Sequence, residues 1–305
     1  DHHPSIHLFV ALVICAAFSV APVFLLLSQV LPFFALLPGV YFGLKHPSGS
    51  LRVAPRTPRT KSSGSMAVKV IVEADKPALL SRLRVLIQQV ADGAPAGQKW
   101  VKVGLSGGSL VGTLAGVLPG VRTDWSRWRF FFCDERVVPF DDADSTYGCY
   151  KAQLLPLLGL QEEQFVVIDP ALPAGRAAMD YSSKLSEYFG EALPEFDLLL
   201  LGMGPDGHTC SLFPGHKVLE EKSRWVAEVT DSPKPPPCRV TLTLPVLNNA
   251  RLALFPISGK EKADTVLKVL HPEAGEALLP AALVKPSKGD VVWLLDSGAA
   301  SLLPK

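Results

Sequence analysis

The chain has 305 residues, enough for one large domain or two small ones, and its 48% hydrophobic content can build a substantial core. The formal net charge is +1, but five bases and a single acid, Asp1, precede Met66, so the remainder carries about −3 and offers no electrostatic footprint for nucleic acid. Cys15, Cys133, Cys149, Cys210 and Cys238 form no CxxC pair and no zinc spacing, which favours a reduced, intracellular protein.

The first 65 residues differ from everything after them. From Ile6 to Leu44 the chain is dominated by apolar residues, with no charged residue other than a possible His7; from Lys45 to Ser65 it is basic and turn-rich, through Lys45, Arg52, Arg56, Arg59 and Lys61. Three readings compete. A membrane anchor is one, because the run exceeds the roughly 20 residues that span a bilayer, and its basic flank would hold the following domain on the cytoplasmic side. A cleaved targeting peptide is the second. The third is a segment foreign to the working protein, since Pro22, Pro32 and Pro38 interrupt the run and the first methionine, Met66, stands directly before strand-like Val68 to Val72. The expectation is an extension outside the fold over 1–65, a single domain over 66–305, and a cytoplasmic location. Contact with a membrane or an organelle depends wholly on the extension.

From Met66 onward strand-like and helix-like segments alternate. Asp75 is placed to cap a helix with Pro77 in its first turn, and Leu79, Leu80, Leu83, Leu86, Ile87 and Val90 mark its apolar face. Trp100 to Leu105 reads as a strand entering Ser106-Gly107-Gly108-Ser109 and a helix through Leu118. Arg127 to Cys133 is a strand ending at Asp134-Glu135-Arg136. A helix over Tyr147 to Leu158, a short strand over Phe165 to Ile168 and a helix over Ala174 to Leu193 follow. Phe196 to Leu201 is a continuous apolar strand, Trp225 to Val229 and Arg239 to Leu242 are two more, and Arg251 to Ile257, Lys260 to Leu270 and Val291 to Leu295 complete the series as strand, helix and strand. This alternation predicts an α/β, Rossmann-like, doubly wound and mainly parallel sheet with helices on both faces. Ser232-Pro233-Lys234-Pro235-Pro236-Pro237 is a stiff connection, or else a wall or lid of a site.

Chemistry concentrates at strand ends. The turn Gly202-Met203-Gly204-Pro205-Asp206-Gly207-His208 follows an apolar strand, where open α/β sheets place their ligands. His208 titrates in the right range for a general base, and Asp206 could orient it; the alternative is a structural histidine capping the next helix. Cys210 reads as a small buried side chain rather than a nucleophile. Ser106, Gly107, Gly108 and Ser109 join a strand to a helix N-terminus, the arrangement that cradles a small phosphate, with a plain tight turn as the alternative. Asp134-Glu135-Arg136 cannot all be buried cheaply and reads as either a solvated strand end or part of a site. Asp141, Asp142 and Asp144 lack the spacing of a calcium loop. Arg239 and Lys262 are natural second clamps for a phosphate, although each is by default a surface charge.

Together these motifs resemble one family. Gly104 to Ser109 (Gly-Leu-Ser-Gly-Gly-Ser), Phe132 to Phe140 (Phe-Cys-Asp-Glu-Arg-Val-Val-Pro-Phe) with Asp144 to Gly148, Gly202 to Pro214, and Arg239 to Thr243 look like the glucosamine-6-phosphate isomerase/6-phosphogluconolactonase family. The lactonase branch is the closer, and the proline loop looks like the animal cytosolic form. The likeness covers Met66 to Lys305 and none of 1–65.

The resemblance implies a carboxylic ester hydrolase that opens 6-phospho-D-glucono-1,5-lactone without a metal or organic cofactor. It also implies a partner no larger than the phosphosugar, with no obligate protein partner. His208 falls on the family's catalytic histidine, Asp206 on the neighbouring acid and Arg136 on the site arginine. Ser106 to Ser109 fall on its phosphate loop, with Arg239 and Lys262 as phosphate partners; Lys260 competes with Lys262 for that position. A glucosamine-6-phosphate deaminase or isomerase, using Asp134 as base, is the nearest rival, and the related deaminases carry an aromatic residue where this chain has Arg136. A non-catalytic phosphosugar sensor is the rival of another class; the retained His208 and the lack of a basic helix-turn-helix oppose it.

Overall fold

In the computed structural model, which describes residues 68–304, the chain runs β1 (Val68–Glu73), α1 (Lys76–Gly93), β2 (Val101–Leu105), α2 (Ser109–Val117), β3 (Trp128–Phe132) and β4 (Asp134–Arg136). It continues through α3 (Thr146–Leu158), β5 (Phe165–Val166), α4 (Ala174–Phe189), β6 (Leu198–Leu200), β7 (Val226–Val229) and β8 (Arg239–Leu242). The last elements are α5 (Leu244–Leu247), β9 (Leu252–Ile257), α6 (Ala263–Leu270) and β10 (Asp290–Asp296). The extension over 1–65 lies outside the described residues.

Seven strands form a parallel sheet in the order β1-β10-β9-β6-β2-β3-β5. Strands buried on both faces need apolar residues at every position, and β6, Leu198-Leu199-Leu200, is buried throughout. Both faces are covered. On one, Leu79, Leu83 and Ile87 of α1, Leu110 and Leu114 of α2, and Tyr150 and Leu154 of α3 pack on Phe130, Phe132, Leu200 and Leu254. On the other, Tyr181 and Leu185 of α4 and Val266 of α6 pack on Phe131, Leu199, Phe255 and Trp293. Asp75 caps α1 as expected, its carboxylate accepting from Ala78 N at 2.8 Å. Among the described residues no helix is long and apolar enough to cross a membrane.

Winding reverses between β2 and β6. From β2 the chain proceeds outward to β3 and β5, returns to pair β6 on the other side of β2, and then moves to β9 and β10. At such a switch point the loops leaving the two strands diverge and open a crevice at their carboxyl ends. The Ser106 to Ser109 loop leaves β2, and the Gly202 to His208 turn leaves β6.

One feature departs from the sequence reading. Asp134-Glu135-Arg136 does not end the parallel strand but forms β4, in a separate antiparallel sheet of order β4-β8-β7. The chain changes sheets at Cys133, whose N–H donates to Leu105 O at 2.8 Å and whose C=O accepts from Leu242 N at 2.8 Å. The solvated-end reading therefore fails, for Asp134 and Glu135 are 6% and 2% exposed.

Candidate active site

The turn after β6 is shaped by what lies against Gly204. A Cβ there would meet Cε1 and Nδ1 of His208, so the imidazole sits directly on the glycine's Cα. The backbone closes this fold-back: Gly204 N donates to His208 O at 2.9 Å, and Gly207 N donates to Gly204 O at 3.0 Å. Neighbouring elements hold the turn's carbonyls. Lys262 Nζ donates to Met203 O at 3.0 Å, Thr265 Oγ1 to Pro205 O at 2.8 Å and Ala281 N to Gly207 O at 3.0 Å. A short, glycine-rich turn thus presents one histidine in a fixed orientation.

His208 Nδ1 lies against Asp206 Oδ1. An ionised carboxylate can only accept, so Nδ1 carries the proton toward it and Nε2 keeps its lone pair. Burial pushes the imidazole below its ordinary 6.5, Asp206 pulls it up, and the nearby Lys234 ammonium pushes it down; the net direction is down. Burial raises Asp206, but the hydrogen bonds from His208 and Lys234 outweigh it and hold the carboxyl at about 2. Phe213 lies beside the imidazole, with ring centroids 4.9 Å apart.

The loop after β2 makes the second wall. Gly108 has φ +68°, a left-handed conformation natural to glycine, and it caps α2 without a side-chain bond. The first N–H groups of a helix have no intrahelical partner, and here they open toward the crevice with the positive end of the helix dipole behind them. Tyr150 Oη donates to Ser106 O at 2.8 Å and steadies the loop from below. Ser106 Oγ is buried, belongs to a residue that borders the cavity, and has no hydrogen-bond partner among the described residues.

The two walls enclose a single cavity of about 360 Å³, bordered by Ser106, Gly107, Gly108 and Ser109 on one side and Gly204 and His208 on the other. Arg136, Arg239 and Lys262 border it as well. Arg136 Nη1 donates to Asp144 O at 3.0 Å, while its Nε is buried and has no partner among the described residues. Lys262 borders the cavity and Lys260 does not, which separates the two lysines. Arg239, only 3% exposed, spends its guanidinium on the proline loop: Nε donates to Pro236 O, and Nη2 to Lys234 O and Pro235 O, at 2.9–3.1 Å. That loop is thereby pinned to a residue that borders the cavity, although none of its own residues lines it.

Asp134 and Glu135 separate in role. Asp134 reaches the cavity, and its Oδ2 accepts from Ser211 Oγ at 2.9 Å. Glu135 turns away and accepts from the backbone N–H groups of Arg136, Thr146 and Tyr147, each at 2.7 Å, so that it braces the N-terminus of α3. Its burial raises the carboxyl to about 7 against those three donors. Asp142 accepts from Asp144 N within the turn before α3. Among the polar residues on the cavity wall, sequence reasoning gave no role to Lys76, Thr113, Thr209, Ser258 and Glu261. Lys76 and Glu261 sit at the starts of helical segments following other strands, so only the parallel register brings them here; no local pattern marks them.

Comparison with known proteins identifies the family. Residues 74–293 match the family described as glucosamine-6-phosphate isomerases/6-phosphogluconolactonase. The chain is 54% identical over 207 residues to the 6-phosphogluconolactonase of Homo sapiens, covering 66% of this chain and 80% of that one. It is 50% identical over 230 residues to that of Bos taurus, covering 73% and 88%. Among solved structures, the 6-phosphogluconolactonase from Trypanosoma cruzi superposes with a TM-score of 0.69 at 29% identity, over 79% of this chain and 99% of its own.

Proposed function

The chain belongs to the family of glucosamine-6-phosphate isomerases and 6-phosphogluconolactonases, and from that premise we propose that it hydrolyses 6-phospho-D-glucono-1,5-lactone to 6-phospho-D-gluconate, in the oxidative pentose phosphate pathway, with His208 as general base. The observation that carries the role of His208 is a half-buried imidazole, paired through Nδ1 to a carboxylate, bordering the same cavity as the N-terminus of α2.

A lactone is an activated ester, so its hydrolysis needs a positioned water, a base and a donor for the carbonyl oxygen. His208 Nε2 takes a proton from water as the oxygen attacks C1. Charge builds on the carbonyl oxygen, and the Nε of Arg136 is a donor with no competing bond among the described residues. Collapse breaks the bond from C1 to the ring oxygen, and His208 returns its proton to that leaving oxygen. The phosphate rests on the N–H groups of Gly107 to Ser109 with the Ser106 hydroxyl, and Lys262 adds charge, for its ammonium has donors beyond the one given to Met203 O. Arg239 acts on the phosphate wall while it pins the proline loop. Binding energy spent at the phosphate fixes C1 in front of the base.

A second reading has one observation in its favour: Asp134 reaches the cavity, where the base of an amino-sugar isomerase would stand. A cytoplasmic setting belongs to the first reading and is supported by the free thiols of Cys133, Cys149, Cys210 and Cys238. Lactone hydrolysis corrected for its spontaneous rate, run beside ammonia release from glucosamine 6-phosphate, separates the two reactions. With the lactone, His208→Ala is expected to lower kcat by about 10²–10⁴-fold with little change in KM. Undiminished turnover by that variant would sink the assignment of the base.

A further inference from the structure

We propose that Lys234, on the proline loop, is a positioning residue that locks Asp206 in place and holds His208 as a neutral base, an inference that rests on the lactonase reading above. Its Nζ lies 3.1 Å from each oxygen of the Asp206 carboxylate and 3.1 Å from His208 Nδ1. An ammonium has three protons and no acceptor, so it can satisfy both carboxylate oxygens at once. Toward the imidazole it can act only as a donor or as a repelling charge. Nδ1 carries its proton toward Asp206, so a second proton on the ring, at Nε2, sets cation against cation at this distance, and Lys234 opposes the imidazolium.

That opposition matters because the other charges around His208 act the opposite way. Asp206 on the same turn and Asp134 on β4 both favour a protonated ring, while Phe213 presents only an aromatic face. Arg239 of β8 sits over Phe213, with its guanidinium carbon 5.7 Å from that ring's centroid. A histidine beside two carboxylates and no close cation would rest as an ion pair, which is a poor proton acceptor near neutrality. Lys234 supplies the missing close cation.

The loop is built to deliver it. Pro233 and Pro235 fix φ on either side of Lys234. Ser232 Oγ donates to Lys234 O at 2.7 Å and accepts from Lys234 N at 3.2 Å. Arg239 Nη2 donates to the same carbonyl at 3.1 Å. Three restraints therefore converge on the backbone of the loop residue whose side chain reaches Asp206 and His208.

The test is a titration of His208 in the full chain by NMR of its ring, without substrate, beside the pH dependence of kcat/KM for the lactone. In Lys234→Met the ring midpoint is expected to move up by about one pH unit, with the acid limb of kcat/KM moving by the same amount. The loss is then about tenfold on the acid side and narrows toward alkaline pH. Lys234→Arg, which keeps the charge, should keep the wild-type midpoint. Lys234→Gln, of similar shape without charge, repeats the measurement should the Met variant be unfolded. A folded neutral variant whose ring midpoint stays put or moves down overturns the inference. A loss of equal size at every pH overturns it too, since a merely structural role would give that result. Wild-type protein that lacks lactonase turnover overturns the functional reading instead, so the two failures are distinguishable.

Discussion

His208 owes its behaviour to burial and to two neighbours of opposed effect, and the sign of its pH response follows from them. Burial and Lys234 depress its proton affinity, and Asp206 restores part of it. Only the neutral ring can accept a proton from water. As pH falls through a midpoint below 6.5, the base is lost, so kcat/KM should fall on the acid side with that midpoint. Asp206, held at about 2, stays ionised throughout and contributes no limb of its own. A pH–rate profile whose acid limb sits above 6.5 would contradict this account. At the same scale, Gly204→Ala adds one carbon where the His208 ring now lies, so the ring must shift. A displacement of about 1 Å can cost on the order of 10²-fold in rate, and a loss of that size in kcat with an unchanged far-UV spectrum is the expected outcome.

Among the elements, β4 and α3 show how a buried acid becomes useful. Three helix-start N–H groups are satisfied when one carboxylate serves the N-terminus of α3, with Ser145 Oγ accepting from Gly148 N as the ordinary cap. Glu135→Gln keeps the shape but turns an NH₂ toward donors that need an acceptor. The expected cost is about 1–3 kcal/mol, read as a lower midpoint in urea or heat. Substrate binding should weaken along with it, since β4 also carries Asp134 and Arg136 to the cavity. None of this was legible in the tripeptide itself. The sequence read Asp134-Glu135-Arg136 as the end of an apolar strand, because a strand's partner is invisible locally, and Thr241, Val240 and Arg239 lie far along the chain. Conversely, α1 was legible almost to the residue, since its cap, its first-turn proline and its apolar face are all local signals. The crevice was legible too: Ser106 to Ser109 and Gly202 to His208 each follow an apolar strand, and the parallel sheet brings both loops to one rim. Lys234 was not, because its partners were assigned to a different turn and only the folded loop brings them within reach.

For the whole molecule, the question is whether residues 66–305 are a complete folding unit, as the sequence reading expects. Both cores draw their buried side chains from Leu79 to Ala299, and the sheet's first strand begins at Val68. Among the described residues that strand pairs with β10 alone, and Val68, Val70 and Val72 are 44–52% exposed on the face they share with Trp293 and Leu295. Removing 1–65 therefore leaves every described core contact in place, and a protein starting at Met66 should melt at the temperature of the full chain and hydrolyse the lactone equally fast. The three valines make this prediction demanding. They are the described apolar surface nearest in sequence to the extension, and covering such a row stabilises a fold in proportion to the apolar area removed from water. A lower melting temperature for the shortened protein, at unchanged turnover, would overturn the expectation, because the valines lie at the sheet edge and the cavity at the β2–β6 switch point. Coincident melting curves would show that the domain's stability, like its chemistry, resides after Met66.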